Sequence, residues 1–210
     1  MLTHYRYPKY AYDASDSTLI IKLTLSPVHE SVIYIINCGF TTAVEDLSQF
    51  EGNFYIVANQ YFSNFTGQYD ESTKTFDLAV EFPDAAGDLN PKFIVEVGLS
   101  ETYEQLIKDA KLWLKGTDHV SIVVLMKFVE NPQYQSLVSK LHAKDLVHLG
   151  IPKASEIEGQ HFNFEGGLGP VKYKGLQWVG EISEAFGEVR KQDPETRLAV
   201  KDGARIIWSL

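Results

Sequence analysis

Cysteine is almost missing from this chain: Cys38 is the only one in 210 residues. An intramolecular disulfide and a cysteine-rich zinc site are thereby excluded. Its neighbours Ile35, Ile36 and Phe40 are apolar, so the thiol is expected to be buried. Long apolar runs are missing too. No stretch approaches the roughly 18 residues that a bilayer-spanning helix needs, so no membrane partner is expected. Residues 1–16 carry tyrosines and charges without a continuous apolar segment, unlike a secretory signal. Asn64-Phe65-Thr66 fits the glycosylation pattern but lacks that secretory context. The expectation is an intracellular protein of the cytoplasm or nucleus.

Basic charge is scarce as well. Lysine and arginine number 19 against 28 acids, for a formal net charge of −9. Proteins that draw affinity from a nucleic-acid backbone normally present a basic face. Nucleic acid is therefore a candidate partner only through a local basic patch or a metal ion. Arg190-Lys191, with Lys172 and Lys174, is the candidate patch, and its ordinary use is as a solvated face. The six histidines are scattered, and no pair has the helix-face spacing of a zinc protease. His142 and His148 are expected at the surface or at an interface. No Gly-x-Ser-x-Gly elbow supports a serine hydrolase. Gly166-Gly167-Leu168-Gly169 is followed by no Lys-Ser/Thr pair and reads as a flexible turn rather than a phosphate loop.

What is present suits a globular α/β protein: 44% hydrophobic and 22% charged residues, in a length that supports one sizeable core. After a tyrosine-rich arm, residues 17–25 form a first expected strand. A helix is expected over 28–38, stopping at Gly39, with a second short helix over 42–50. Residues 54–62 and 75–82 read as strands, the latter placing Phe76, Leu78, Val80 and Phe82 on one face and Asp77, Ala79 and Glu81 on the other. Residues 83–91 read as a loop. Phe93-Ile94-Val95-Glu96-Val97 is a short buried strand. A helix over 101–115 follows, capped by Ser100, with Tyr103, Leu106, Ile107, Ala110, Trp113 and Leu114 at spacings of three and four. The apolar run 120–128 completes a strand–helix–strand crossover, which places its two strands parallel. Beyond it, helices are expected over 134–146 and 178–191, and a strand pair over 199–208 turning at Asp202-Gly203. The whole is expected to be a single domain over 1–210, with a core at about 18–130 and a C-terminal elaboration over 131–210. That elaboration completes the sheet, covers a cleft or builds a homodimer interface.

Two carboxylates interrupt the apolar strands of this core. Asp77 lies in one and Glu96 in another, and a buried glutamate costs several kcal/mol unless it is paired or metal-bound. Acids on adjacent strands can share a hard divalent cation, since oxygen ligands at about 2.0–2.1 Å suit Mg²⁺. The alternative use of Glu96 is at a half-exposed strand end or as the partner of a lysine such as Lys108 or Lys111.

Phe76-Asp77, Pro91-Lys92-Phe93-Ile94-Val95-Glu96-Val97-Gly98, Ser100-Glu101, Leu106, Asp109-Ala110 and Trp113-Leu114 together resemble a group of fungal proteins of unassigned role. That group is similar to the PD-(D/E)XK restriction-endonuclease-like superfamily. Ser26-Pro27-Val28-His29-Glu30 resembles the segment opening its first core helix. The resemblance covers roughly residues 18–130. It implies a central mixed sheet flanked by helices and metal-dependent hydrolysis of nucleic-acid phosphodiesters. Asp77, Glu96 and the Val97 carbonyl would hold Mg²⁺ or Mn²⁺, and Glu30 would assist from the first helix. The superfamily's lysine stands two residues beyond the second acid, where this chain has Gly98. Lys111 or Lys108 on the following helix is the candidate replacement, with Gln105 facing the cleft. If no lysine serves, the implied alternative is a catalytically inactive binding or interaction module on the same fold.

Overall fold

A computed structural model describes residues 9–22, 27–46, 54–132, 148, 162–164, 169–173, 175–196 and 198–208. The helix expected over 134–146, together with Gly166, Gly167, Leu168, Lys174, His4, His142 and His161, lies outside these residues. The chain forms two compact units, Met1–Lys127 with Gly187–Ile206 and Phe128–Phe186 with Ile207–Leu210.

Strands β1 (Lys9–Asp13) and β2 (Thr18–Lys22) open the first unit as an antiparallel hairpin. Helix α1 then spans Pro27–Asp46 without a break. Gly39 is therefore not a stop, and the separate helix expected from 42 merges into the first. Thr41 and Thr42 accommodate this by donating their hydroxyls back to the carbonyls of Asn37 and Cys38, at 2.9 and 3.0 Å. Cys38 lies on the exposed side of this helix, contrary to the expectation of a buried thiol. Its apolar neighbours Tyr34 and Ile35 are exposed as well, so local composition misjudges the face that α1 buries.

The run expected as one strand over 54–62 divides into β3 (Tyr55–Ala58) and β4 (Tyr61–Phe62). Asn59 between them has φ +57, a left-handed conformation that asparagine tolerates and an extended strand does not contain. Residues 75–82 divide likewise, into β5 (Lys74–Thr75) and β6 (Leu78–Pro83). The bend falls on Phe76-Asp77 and breaks the expected alternation: Phe76 and Ala79 enter the same core cluster. Strand β7 (Leu89–Gly98) begins earlier than expected, and α2 (Tyr103–Gly116) is capped by Thr102, whose side chain accepts the Gln105 amide, rather than by Ser100. Strand β8 is Ile122–Asn131.

The central sheet is mixed and six-stranded. Its last two members are β12 (Glu181–Gln192) and β13 (Ala199–Trp208), and its order is β13-β12-β8-β7-β6-β3. Strands β3 and β6 and strands β6 and β7 pair antiparallel, while β7 and β8, joined by α2, pair parallel as the crossover pattern requires. The helix expected over 178–191 is thus a correction. Ile182, Phe186 and Val189 have helical spacing, but Gly187 weakens a helix there and hydrogen bonding into the sheet decides for a strand. Residues 199–208 form one strand that passes through Gly203 at φ +76 rather than a hairpin. In the second unit, β9 (Phe162–Phe164), β10 (Val171–Tyr173) and β11 (Leu176–Val179) form a small antiparallel sheet in the order β11-β10-β9.

Helices α1 and α2 pack on opposite faces of β7. Phe93 meets Phe40 of α1 edge-on at 5.1 Å, whereas its neighbour Ile94 joins the cluster built around α2. Trp113, fully buried, centres that cluster and touches the rings of Phe62, Phe65 and Phe76 at 5.4, 5.1 and 6.1 Å. Truncating a buried aromatic of this kind costs on the order of 3–5 kcal/mol.

Candidate functional site

Asp77 sits at the bend before β6 and is 1% exposed. Its Oδ2 accepts the backbone N–H of Val97 at 2.8 Å, which ties the carboxylate to the end of β7. His29, in the first turn of α1 and itself buried, approaches the same oxygen through Nε2 at 3.2 Å. The opposite ring nitrogen, Nδ1, lies 3.4 Å from Glu30 Oε1. Adjacent helix residues usually diverge, but the imidazole spans from Glu30 to Asp77 and brings both acids into one group at the start of α1.

Glu96 belongs to a different group. It shares strand parity with Ile94 and points to the α2 face, where its Oε1 accepts the Trp113 indole N–H at 2.6 Å. Lys74 of β5 brings its ammonium to 3.5 Å from the same oxygen and to 2.8 Å from Asp109 Oδ2. Gln105 donates to the other oxygen of Asp109 at 3.0 Å. Lys74, Glu96 and Asp109 are all buried. Burial by itself would push the Lys74 ammonium towards neutrality. The charges of Asp109 and Glu96, then that of Glu101, and the Asp109 hydrogen bond outweigh it and hold Lys74 protonated far above the ordinary lysine range. Lys74 is therefore a fixed cation and not a proton acceptor.

The expected lysines take no part in these contacts. Lys108 is exposed and pairs with Asp16, in the turn between β1 and β2, at 3.2 Å. Lys111 is exposed on the solvent side of α2. The absence of lysine at position 98 has a steric reason: a Cβ on Gly98 would lie 2.7 Å from Cδ1 of the fully buried Leu106. Glu96 does pair with a lysine, but one that sequence reasoning passed over. The available signal was Lys74 in the Thr-Lys-Thr-Phe-Asp run leading to Asp77.

The donor set named for a divalent ion already has protein partners. Asp77 is engaged with Val97 and His29, and Glu96 with Trp113 and Lys74, in two groups directed at different helices. Among the described residues no three His, Cys, Asp or Glu side chains gather around a point that would hold a metal.

A second charged group lies on β12 and β13, also in the first unit. Glu188 is 2% exposed and accepts the Tyr103 hydroxyl at 2.8 Å. Arg190 approaches its Oε1 through Nε at 2.9 Å and through Nη2 at 2.7 Å. Arg205 and Lys201 each stand 3.4 Å from its Oε2. Burial pushes the Glu188 carboxyl up, but the Tyr103 and Arg190 hydrogen bonds and the charges of Arg190 and Lys201 prevail, leaving it below the ordinary carboxylate value. Of the basic patch expected from the sequence, Arg190 belongs here, while Lys191 pairs with Asp202 at 2.9 Å. Lys201 and Arg205 were missed, since only the pairing of β13 beside β12 brings them to Glu188.

No helix among the described residues is long and apolar enough to cross a membrane. No family, no curated protein and no solved structure matches this chain.

Proposed function

We propose that the chain is a restriction-endonuclease-like module whose acid pair has passed from metal binding to structural use, and that it works as a binding or interaction module rather than as a nuclease. Three features support a core of that kind: a helix preceding the sheet and carrying His29-Glu30, a mixed sheet with Asp77 and Glu96 on neighbouring strand ends, and α2 joining β7 to its parallel neighbour. The observation that carries the inactive reading is Lys74, whose buried ammonium stands 3.5 Å from Glu96 and 2.8 Å from Asp109. A protein cation already stands beside Glu96, shared with Asp109. A divalent ion on Glu96 would stand close to this buried ammonium, and like charges in a buried site repel strongly.

One observation favours the rival reading, metal-dependent hydrolysis of nucleic-acid phosphodiesters with Mg²⁺ or Mn²⁺. With Lys74 beside Glu96, an acid, acid and lysine set exists in space although the lysine is absent from position 98. The two readings part in one experiment. Thermal unfolding is followed with and without millimolar Mg²⁺ and Mn²⁺, and labelled DNA and RNA are incubated with the same samples. No metal-linked rise in Tm and no cleavage are expected. A saturating rise that disappears in Asp77→Asn, accompanied by cleavage, would replace the inactive reading with the nuclease.

A further inference from the structure

We propose that the outward face of α1 is the contact by which two copies of this chain pair, with Tyr34 and Ile35 of each docking beside Gly39 and Ala43 of the other. The inference rests on the composition and exposure of α1 and is independent of the reading of Asp77 and Glu96.

One side of α1 serves the sheet: His29 and Ile33 are buried there and Phe40 meets Phe93. The other side faces outward and is uncharged. Residues 31–44 contain no charged side chain, in a chain of which 22% is charged. A helix that lacks a polar, charged face is normally buried all round. Yet Tyr34 and Ile35 are 70% and 66% exposed, the highest values among the large apolar side chains described. Cys38, Gly39, Thr42 and Ala43 continue the exposed side in steps of four, as the rows Tyr34-Cys38-Thr42 and Ile35-Gly39-Ala43. The polar groups on these rows have partners within the helix. Tyr34 and Cys38 hydrogen-bond to each other, and Thr42 donates to the Cys38 carbonyl. Covering the face leaves these bonds in place, which spares it the penalty of burying unbonded hydroxyls.

Gly39 points to a second helix as the occupant. Glycine weakens a helix interior more than any residue except proline. A Cβ added at Gly39 meets nothing within 4 Å, so packing among the described residues does not call for a glycine there. One turn back on the same row stands the protruding Ile35. Rows at steps of four interlock in the commonest class of helix crossing, and a two-fold contact needs one surface to carry both the ridge and the gap that receives it. The α1 face carries both. Charge favours a copy meeting here rather than elsewhere. Chains of formal net charge −9 repel across acidic surface, and this face opposes no acids. Glu30 and Glu45 flank it in sequence, and the steep crossing of helices packed by such rows separates them. Counted on both copies, the face offers on the order of 1,000 Å², about the least that a specific interface requires. A contact of that size suits a pair that forms in the micromolar range.

Sedimentation velocity of the full chain follows its mass from low to hundreds of micromolar, at low and at high salt, alongside Ile35→Glu and Gly39→Gln. Dimerisation that strengthens with salt, as repulsion between the copies is screened, and that weakens at least tenfold in Ile35→Glu supports the proposal. Gly39→Gln separates the contact from folding. Glutamine favours a helix over glycine and raises the melting temperature, while its side chain fills the gap and weakens the dimer. Cys38 is the only cysteine, so a disulfide-linked dimer made by copper phenanthroline can join only the two α1 faces. Its formation by the unaltered chain and its loss in Ile35→Glu support the pair. Both substituted positions are exposed, and circular dichroism melts verify that the variants are folded. A monomer at every concentration overturns the proposal and leaves the face to an unlike partner. A dimer of unchanged strength in folded Ile35→Glu or Gly39→Gln overturns it too, because the copies then meet elsewhere.

Discussion

Glu96 and Glu188 are buried to nearly the same degree, at 1% and 2% exposure, yet they organise opposite kinds of surroundings. Around Glu96 one cation, Lys74, serves two acids, and all three side chains are sealed between the sheet and α2. Around Glu188 three cations serve one acid, and two of them reach solvent from β13. The first group carries one more acid than cation but is buried, and works as a clamp inside the core. The second sets two of its cations, Lys201 and Arg205, at partly exposed positions. Burial of a carboxylate thus says little about function. The number of opposing charges and their access to solvent decide whether the group can act outside the protein.

The sharpest way to break this contrast is to remove the single cation of the closed group. Lys74→Met strands Glu96 and Asp109 in the core, and a loss of about 3–5 kcal/mol is expected in urea unfolding at neutral pH. A loss below 1 kcal/mol would mean that Lys74 is not the clamp described. Installing the lysine missing from the resemblance is expected to cost less. Gly98→Lys forces a Cβ against Leu106, and overpacking of this kind costs about 1–3 kcal/mol, read as a lower urea midpoint. An unchanged midpoint would show that the β7–α2 contact has room for a side chain.

Smaller effects sharpen the open side of the comparison. The Glu188 carboxyl is held below its ordinary value, so its ion pairs contribute stability that is present above about pH 4.5 and is lost as pH falls through the lower folded value. In acid titrations followed by circular dichroism, Glu188→Gln is expected to flatten the fall in stability below pH 4.5, relative to its own stability at neutral pH. An identical acid limb would remove Glu188 from the account. The smallest effect belongs to Lys108→Ala. Its pair with Asp16 is exposed on both sides, and no shift in melting temperature beyond experimental scatter is expected. A clear drop would assign Lys108 a packing role against the β1–β2 hairpin.

The legible parts of this molecule are those written in neighbouring residues. The short apolar strand Phe93–Val97, spacings of three and four from Tyr103 to Leu114, and the apolar run from Val120 predict the parallel β7–α2–β8 unit, and the structure contains it. The Thr102 cap and the bend at Asp77 are shifts of a residue or two within that reading. The same logic fails at 178–191, where Ile182, Phe186 and Val189 fit a helix as well as a strand. Hydrogen bonding within the six-stranded sheet settles it as β12. It fails again on α1, because apolar residues on both sides of a helix do not reveal which side meets the sheet, and Cys38 lies outside.

The sequence by itself determined that Asp77 and Glu96 interrupt the core strands and that a buried glutamate there needs a partner, because the cost of burying charge follows from composition and local pattern. Only the tertiary structure decided which partners they have. Lys74 meets Asp109 across 35 positions and Tyr103 meets Glu188 across 85, and no local periodicity encodes pairings at that range. Such contacts exist only once strands from distant parts of the chain are hydrogen-bonded side by side, which is why the closed clamp at Glu96 and the open cluster at Glu188 emerged together from the folded sheet.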